Sequence, residues 1–81
     1  SEMKIKEKQL AYAFFNSCTV NFKYKDEDEV RTLYTVNELR YNDEDEILIG
    51  GCTSSTGLYK KFFVENMNSV RIYKAIDYTE L

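Results

Sequence analysis

The sequence has no histidine, no tryptophan and no proline, and only two cysteines and three glycines in 81 residues. Histidine is the usual partner of a catalytic serine or cysteine and a frequent zinc ligand, so its absence excludes histidine-based catalysis and histidine-containing zinc sites. Two cysteines are also too few for a disulfide scaffold. We therefore expect no catalytic residue, no metal and no cofactor, and a protein that is not an enzyme.

Long apolar segments are absent as well. No run of apolar residues approaches the roughly 18 needed to cross a bilayer, and no stretch resembles the apolar core of a signal peptide. We therefore expect a cytoplasmic protein with no membrane partner. The hydrophobic fraction of 43% is enough for one modest core, so we expect a single domain over 1–81, with residues 1–2 a cloning remnant. Cys18 and Cys52 are expected as small apolar residues in or near that core, with a bridge between them left open.

The charge is unevenly distributed. The chain carries 11 Lys and Arg against 14 Asp and Glu, a net charge of −3. Eight of the carboxylates form two tetrads without an intervening cation, Asp26, Glu27, Asp28 and Glu29 and then Asp43, Glu44, Asp45 and Glu46. Each tetrad follows a tyrosine and precedes a β-branched residue, which predicts two analogous turns between strands. With both tetrads in solvent, the rest of the domain is mildly basic.

Hydrophobic periodicity predicts one helix at the start of the chain. Leu10, Ala13 and Phe14 recur at helical spacing, which predicts a helix over residues 4–16 with these three on its buried face. The polar residues Asn16 and Ser17 predict the end of this helix, because their short side chains compete for backbone hydrogen bonds.

The remainder of the chain is rich in strand patterns. Val20, Phe22 and Tyr24 alternate with polar residues, and this period of two predicts a half-buried strand. Four more strands are predicted at 30–36, 47–49, 58–64 and 69–76, with Gly50 and Gly51 ending the third strand at a bulge or sharp bend. We therefore expect a mainly β fold with one N-terminal helix, a small five-stranded SH3/Sm-like bent sheet or barrel over 19–76.

The order of these features resembles that of the WYL domain. Residues 9–15 and 20–25 are similar to its opening, where a short helix leads into a strand that ends in an aromatic residue. Residues 30–39 are similar to its second strand, and 46–52 fall where the family has its Trp-Tyr-Leu strand. Residues 60–70 are similar to its Arg-x-Phe-Arg-Leu-Asp-Arg-Ile-x-x-Val stretch.

The resemblance spans residues 9–73 and carries an expectation about function. Members of the family are thought to grip a nucleic-acid or nucleotide effector with the aromatic residue and the arginines. The resemblance therefore implies a regulatory binding module on an SH3/Sm-like barrel. This chain is a diverged case, because Glu46 and Ile47 replace the naming Trp and Tyr, and Phe63 and Asn66 stand where the family has arginines.

Cations and tyrosines interleave near the end of the chain, which indicates a ligand surface. Single-stranded nucleic acid needs such a surface, because its bases stack on aromatic rings while its phosphates pair with cations. We expect the two predicted strands that carry these residues to be neighbours, with Lys74 extending the strip. The predicted ligand-binding residues are Tyr59, Lys60, Lys61, Arg71 and Tyr73.

Two other modes of action stay open. The acidic tetrads and exposed tyrosines also suit a small phage- or mobile-element-type protein that binds and inhibits or adapts another protein. Self-association is the third reading, because a partly open barrel leaves unpaired backbone groups along an edge strand.

Overall fold

The computed structural model describes residues 1–44 and 46–74. One helix is followed by five strands, so the fold is mainly β with an N-terminal helix, as predicted. The elements are α1 (Glu2–Phe15), β1 (Thr19–Tyr24), β2 (Arg31–Tyr41), β3 (Leu48–Thr53), β4 (Tyr59–Phe63) and β5 (Met67–Tyr73), with a single 3-10 turn at Val64–Asn66. Residues 75 and 76, the predicted end of the last strand, lie outside the described residues.

The helix begins two residues earlier than predicted. The Ser1 hydroxyl accepts a hydrogen bond of 3.2 Å from the Lys4 amide, and this cap satisfies a free amide of the first turn. Leu10 and Ala13 are buried against the sheet, as expected. The placement of Phe14 on the buried face was wrong, because this residue is 40% exposed, and its ring stacks at 5.2 Å on that of the exposed Phe15.

The strands form one antiparallel sheet in the order β4-β3-β2-β1-β5, which is the SH3/Sm-like arrangement. The fifth strand pairs with the first, and the 3-10 turn carries the chain from β4 at one edge of the sheet to β5 at the other. The Lys25 amide anchors that turn by donating a 2.8 Å hydrogen bond to the Asn66 carbonyl. β4 and β5 do not pair with each other in the described part of the chain, so the sheet is bent and not closed.

Irregular pairing bends the sheet. Its register shifts between Val20 and Phe22 and again between Val36 and Glu38, and each extra residue at such a bulge increases the local twist. Gly50 and Gly51 do not end the third strand, as was expected, because both lie inside β3, which continues to Thr53.

The concave side of the sheet and the helix enclose one core. Both cysteines are buried in this core and are free thiols, which confirms them as small apolar core residues. Burial raises the pKa of the Cys52 thiol to about 12. The largest fully buried side chains are Phe22, Phe62, Leu10, Met67, Val20, Val64 and Cys52.

The acidic tetrads lie in two strand connections, as predicted. Asp26, Glu27, Asp28 and Glu29 are exposed between β1 and β2. Asp43, Glu44 and Glu46 are exposed between β2 and β3, and Asp45 lies outside the described residues. Successive connections of an antiparallel meander fall at opposite ends of the sheet, so the two tetrads are separated by the length of the strands.

Candidate functional site

The residues of the predicted strip lie at two opposite edges of the sheet. Lys60 and Lys61 belong to β4, which pairs with β3, while Arg71 and Tyr73 belong to β5, which pairs with β1. The expectation of neighbouring strands was therefore wrong. The cause is the order of the sheet, in which the last strand pairs with the first and not with the fourth.

Four of the five predicted residues nevertheless share one face. Successive side chains of a strand point to opposite faces, and Phe62 in β4 is buried in the core. Tyr59 and Lys61 therefore lie on the opposite, convex side, which we call the outer face. In β5, Val70 and Ile72 pack toward the core. Arg71 and Tyr73 alternate with them and therefore lie on the same outer face.

A row of residues paired across all five strands runs over the outer face. Threonines of the three central strands occupy the middle of the row, and a tyrosine stands at each end. Adjacent strands are about 4.8 Å apart, so the two tyrosines are separated by roughly 19 Å along the sheet. A ligand that contacts both must be extended. The row consists of Tyr73, Thr19, Thr35, Thr53 and Tyr59.

Cations flank this row. Four exposed Lys and Arg side chains belong to the outer face, one from each of β1, β2, β4 and β5. Glu38 is the single carboxylate among the described strand residues of that face, and it forms a salt bridge with Arg40. The outer face is therefore positive although the whole chain is negative. Its cations are Lys23, Arg40, Lys61 and Arg71.

Tyr59 is held against the sheet by its surroundings. Its hydroxyl donates a 2.8 Å hydrogen bond to a Glu38 carboxylate oxygen. A Cβ atom added at Gly51 would lie 2.1 Å from the Tyr59 hydroxyl oxygen and 2.9 Å from its Cζ, so the ring occupies space that only glycine leaves free. One side of the ring thus covers the backbone, while the side chain remains 49% exposed. Such a fixed aromatic surface can accept a stacked base.

The Tyr59–Glu38 contact also shifts the pKa values of both groups. The hydrogen bond from Tyr59, followed by that from Arg40, lowers the pKa of the Glu38 carboxyl. The same bond to Glu38 raises the pKa of the Tyr59 phenol. Both pKa shifts favour the state in which the phenol keeps its proton and donates a hydrogen bond to a charged carboxylate.

Sequence reasoning missed the threonines of the row and Glu38, and it also missed one aromatic residue and two cations of the outer face. Phe63 follows Tyr59 and Lys61 at a spacing of two, and its ring is 42% exposed. This alternation was present in the sequence as a signal. Lys23 was likewise visible as the polar residue between Phe22 and Tyr24, whereas Arg40 was missed because β2 was predicted to end at residue 36.

Lys60 does not belong to the outer face. It lies on the core side of β4, where its Nζ is 5.7 Å from the centroid of the Phe62 ring. Its neighbours there are Arg31 and the aromatic residues that surround Phe62.

Comparison with family models, with curated proteins and with solved structures gives no significant match. The resemblance to the WYL domain therefore stays a prediction that depends on the residues quoted above. None of the helices among residues 1–44 and 46–74 is long and apolar enough to span a membrane.

Proposed function

We propose that this protein is a non-enzymatic, regulatory binding module of the cytoplasm whose outer face holds single-stranded nucleic acid. The observation that supports this most is the arrangement of two exposed tyrosines at the ends of one cross-strand row, with Lys61 and Arg71 each two residues from one of them on the same strand. Aromatic rings supply stacking and the cations pair with phosphates, which are the two contributions that single-strand binding requires.

A single strand fits this face better than a duplex or a mononucleotide. Rings such as those of Tyr59 and Tyr73 can stack only on bases that are free of their own partners. The path along the sheet between these two positions, roughly 19 Å at about 4.8 Å per strand, exceeds the reach of one nucleotide. The proposed ligand is therefore a strand of several nucleotides.

The position of the acids suggests the path of the strand. The tetrads lie at the two ends of the strands, where they repel phosphates. A strand that follows the row from Tyr73 to Tyr59 crosses the sheet midway between them. The negative net charge of the chain is therefore compatible with binding on this face.

Fluorescence anisotropy with a labelled single-stranded dodecanucleotide tests this proposal, with the corresponding duplex as a second probe. We expect the single strand to bind more tightly and its affinity to fall steeply with salt. Lys61→Gln and Arg71→Gln should each lower the slope of log affinity against log salt by about 0.7, the value for one lost phosphate contact on a single strand.

Lys4→Gln is the matched control, because it removes the same charge from an exposed position on the helix, away from the outer face. It should leave the slope unchanged. The proposal fails if no binding is seen, or if Lys4→Gln weakens binding as much as Lys61→Gln does.

A further inference from the structure

A second group of cations lies on the core side of the sheet, at the end where β1 leads into β2. It surrounds a cluster of four aromatic side chains whose neighbouring ring centroids are 4.9 to 5.7 Å apart. The rings meet at steep angles, which is the favourable geometry for aromatic pairs. We call this set the aromatic cluster; its members are Phe22, Tyr24, Tyr34 and Phe62.

Three cations lie over two adjacent rings of the aromatic cluster. The Arg31 Cζ is 5.2 Å from the centroid of Phe62, and the Lys60 Nζ is 5.7 Å from the same centroid. The Lys25 Nζ is 5.7 Å from the ring of Tyr24, which itself packs at 4.9 Å against Phe62. Arg31 and Lys60 therefore share one ring, and Lys25 lies over the ring that packs against it.

The Glu27 carboxylate forms a salt bridge with Arg31, and the charges of Lys60 and Lys25 also act on it. The Arg31 Nε and Nη2 atoms donate hydrogen bonds of 3.1 and 3.0 Å to the two carboxylate oxygens of Glu27. The third nitrogen, Nη1, donates to the Tyr34 hydroxyl at 3.1 Å. The Arg31 hydrogen bond, followed by the charges of Arg31, Lys60 and Lys25, lowers the pKa of the Glu27 carboxyl.

The two partners of this salt bridge differ in how firmly they are held. Tyr34 and Phe62 fix the guanidinium of Arg31, whereas Glu27 stands on an exposed hairpin tip. Two nitrogens of an arginine can donate paired hydrogen bonds to a phosphate in the same geometry in which they bind a carboxylate. A phosphate monoester carries roughly 1.5 to 2 negative charges at neutral pH, so it balances three cations better than one carboxylate does.

We propose that Arg31, Lys60 and Lys25 form a binding site for a phosphate monoester, in which the Glu27 carboxylate takes the ligand's place until the ligand displaces it. The site and the outer face lie on opposite sides of the sheet. The two proposals therefore do not depend on each other.

Titration with inorganic phosphate at constant ionic strength and pH 7.5, followed by NMR of the arginine Nε–H signals, tests this site. We expect a saturable shift of the Arg31 signal with little change at Arg40 and Arg71. Glu27→Gln removes the competing carboxylate and should tighten phosphate binding at least about threefold, the factor that an exposed ion pair typically contributes.

Glu29→Gln is the control, because it removes the same charge from the same tetrad at a residue that makes no salt bridge among the described residues. Glu29→Gln should increase the phosphate affinity by less than half as much as Glu27→Gln does. In the Glu27→Gln background, Arg31→Lys keeps the charge and loses the two-point geometry, so binding should weaken about fivefold or more. The site is refuted if the Arg31 signal does not shift, or if Glu29→Gln acts as strongly as Glu27→Gln.

Three further probes on Glu27→Gln separate the sources of the phosphate: adenosine monophosphate, a tetranucleotide with a 5′-phosphate and the same tetranucleotide with a 5′-hydroxyl. The two phosphorylated probes should shift Arg31, and the hydroxyl probe should not. If adenosine monophosphate and the 5′-phosphorylated tetranucleotide bind with equal affinity, a free nucleotide is sufficient as the ligand. If the phosphorylated tetranucleotide binds more tightly, the ligand is the phosphorylated end of a strand. An equal shift with the 5′-hydroxyl strand would overturn the assignment to a monoester.

Discussion

Gly51 determines how an aromatic side chain lies on the outer face. Its neighbour Gly50 provides a comparison, because a Cβ atom there would meet Val64 Cγ2 at 3.7 Å, an ordinary contact. At Gly51 the same atom would overlap the ring of Tyr59 and approach the Glu38 Cβ to 3.1 Å. Neither glycine has a positive φ, so the difference comes from side-chain space and not from the backbone.

We predict that Gly51→Ala displaces Tyr59 and weakens single-strand binding about fivefold or more, since one stacked base is worth about 1 to 3 kcal/mol. Gly50→Ala should change the affinity by less than about twofold, because its methyl group makes only ordinary contacts. Fluorescence anisotropy on both variants measures the difference. Equal affinities would mean that Tyr59 takes no part in binding.

Cys52 provides a prediction about pH. Burial raises the pKa of its thiol from 9.0 to about 12, so the folded state keeps the proton that the unfolded state loses. This contribution to the free energy of unfolding is fully present below pH 9.0 and is lost as the pH rises toward about 12. We therefore expect the free energy of unfolding, measured with urea, to decrease more between pH 8 and pH 10 in the wild type than in Cys52→Ala.

The thiol should also react slowly with Ellman's reagent at pH 8 in the folded protein and rapidly in urea, because the thiolate is the reactive form. Rapid reaction of both cysteines in the folded protein, or identical pH dependence of wild type and Cys52→Ala, would contradict the burial of Cys52.

Strands differ in how well the sequence predicted them. β1 was predicted nearly to the residue, because Val20, Phe22 and Tyr24 alternate without interruption and all three are buried. β2 was predicted to end five residues too early, because the bulge after Val36 changes which residues face the core. A bulge depends on the partner strand, so periodicity within one segment cannot reveal it.

The backbone of Leu33 provides a test of β2. Its φ of 58° lies in the left-handed region, which costs a leucine roughly 1 to 2 kcal/mol and costs glycine almost nothing. Leu33→Gly should therefore leave the free energy of unfolding unchanged or raise it by about 1 kcal/mol. Thr32→Gly, at an exposed neighbouring position with ordinary φ, should lower it by about 0.5 to 1 kcal/mol. Urea denaturation of the two variants measures this difference. An equal loss of unfolding free energy in Leu33→Gly and Thr32→Gly would contradict the left-handed conformation of Leu33.

At the scale of the whole molecule, the sequence predicted the fold better than the site. Element order, the exposed tetrads and the buried cysteines followed from local patterns. The site required the strand order, which separates Lys61 from Arg71 by the width of the sheet. Lys60 lies on the other face because side chains alternate along β4, and Phe62, two residues later, is buried. Strand order depends on long-range pairing, and no local pattern of this sequence encodes it.

The separation of charge predicts how acidic residues affect binding. Asp43 and Glu44 lie at a hairpin end and not on the outer face, so their charges only repel a bound strand at a distance. The double variant Asp43→Asn/Glu44→Gln should leave single-strand affinity intact or raise it up to about threefold, with the largest effect at low salt. Anisotropy at two salt concentrations tests this, and weaker binding would indicate that the tetrad itself contacts the ligand.

The most direct test of the central claim is an amide NMR titration of the ¹⁵N-labelled protein with an unlabelled single-stranded dodecanucleotide. Binding on the outer face predicts shifts at Thr19, Thr35 and Thr53, which lie between the two tyrosines, and at their neighbours in β4 and β5. Shifts confined to residues 26–29, to the second acidic connection or to the helix, or no shifts at all, would contradict it.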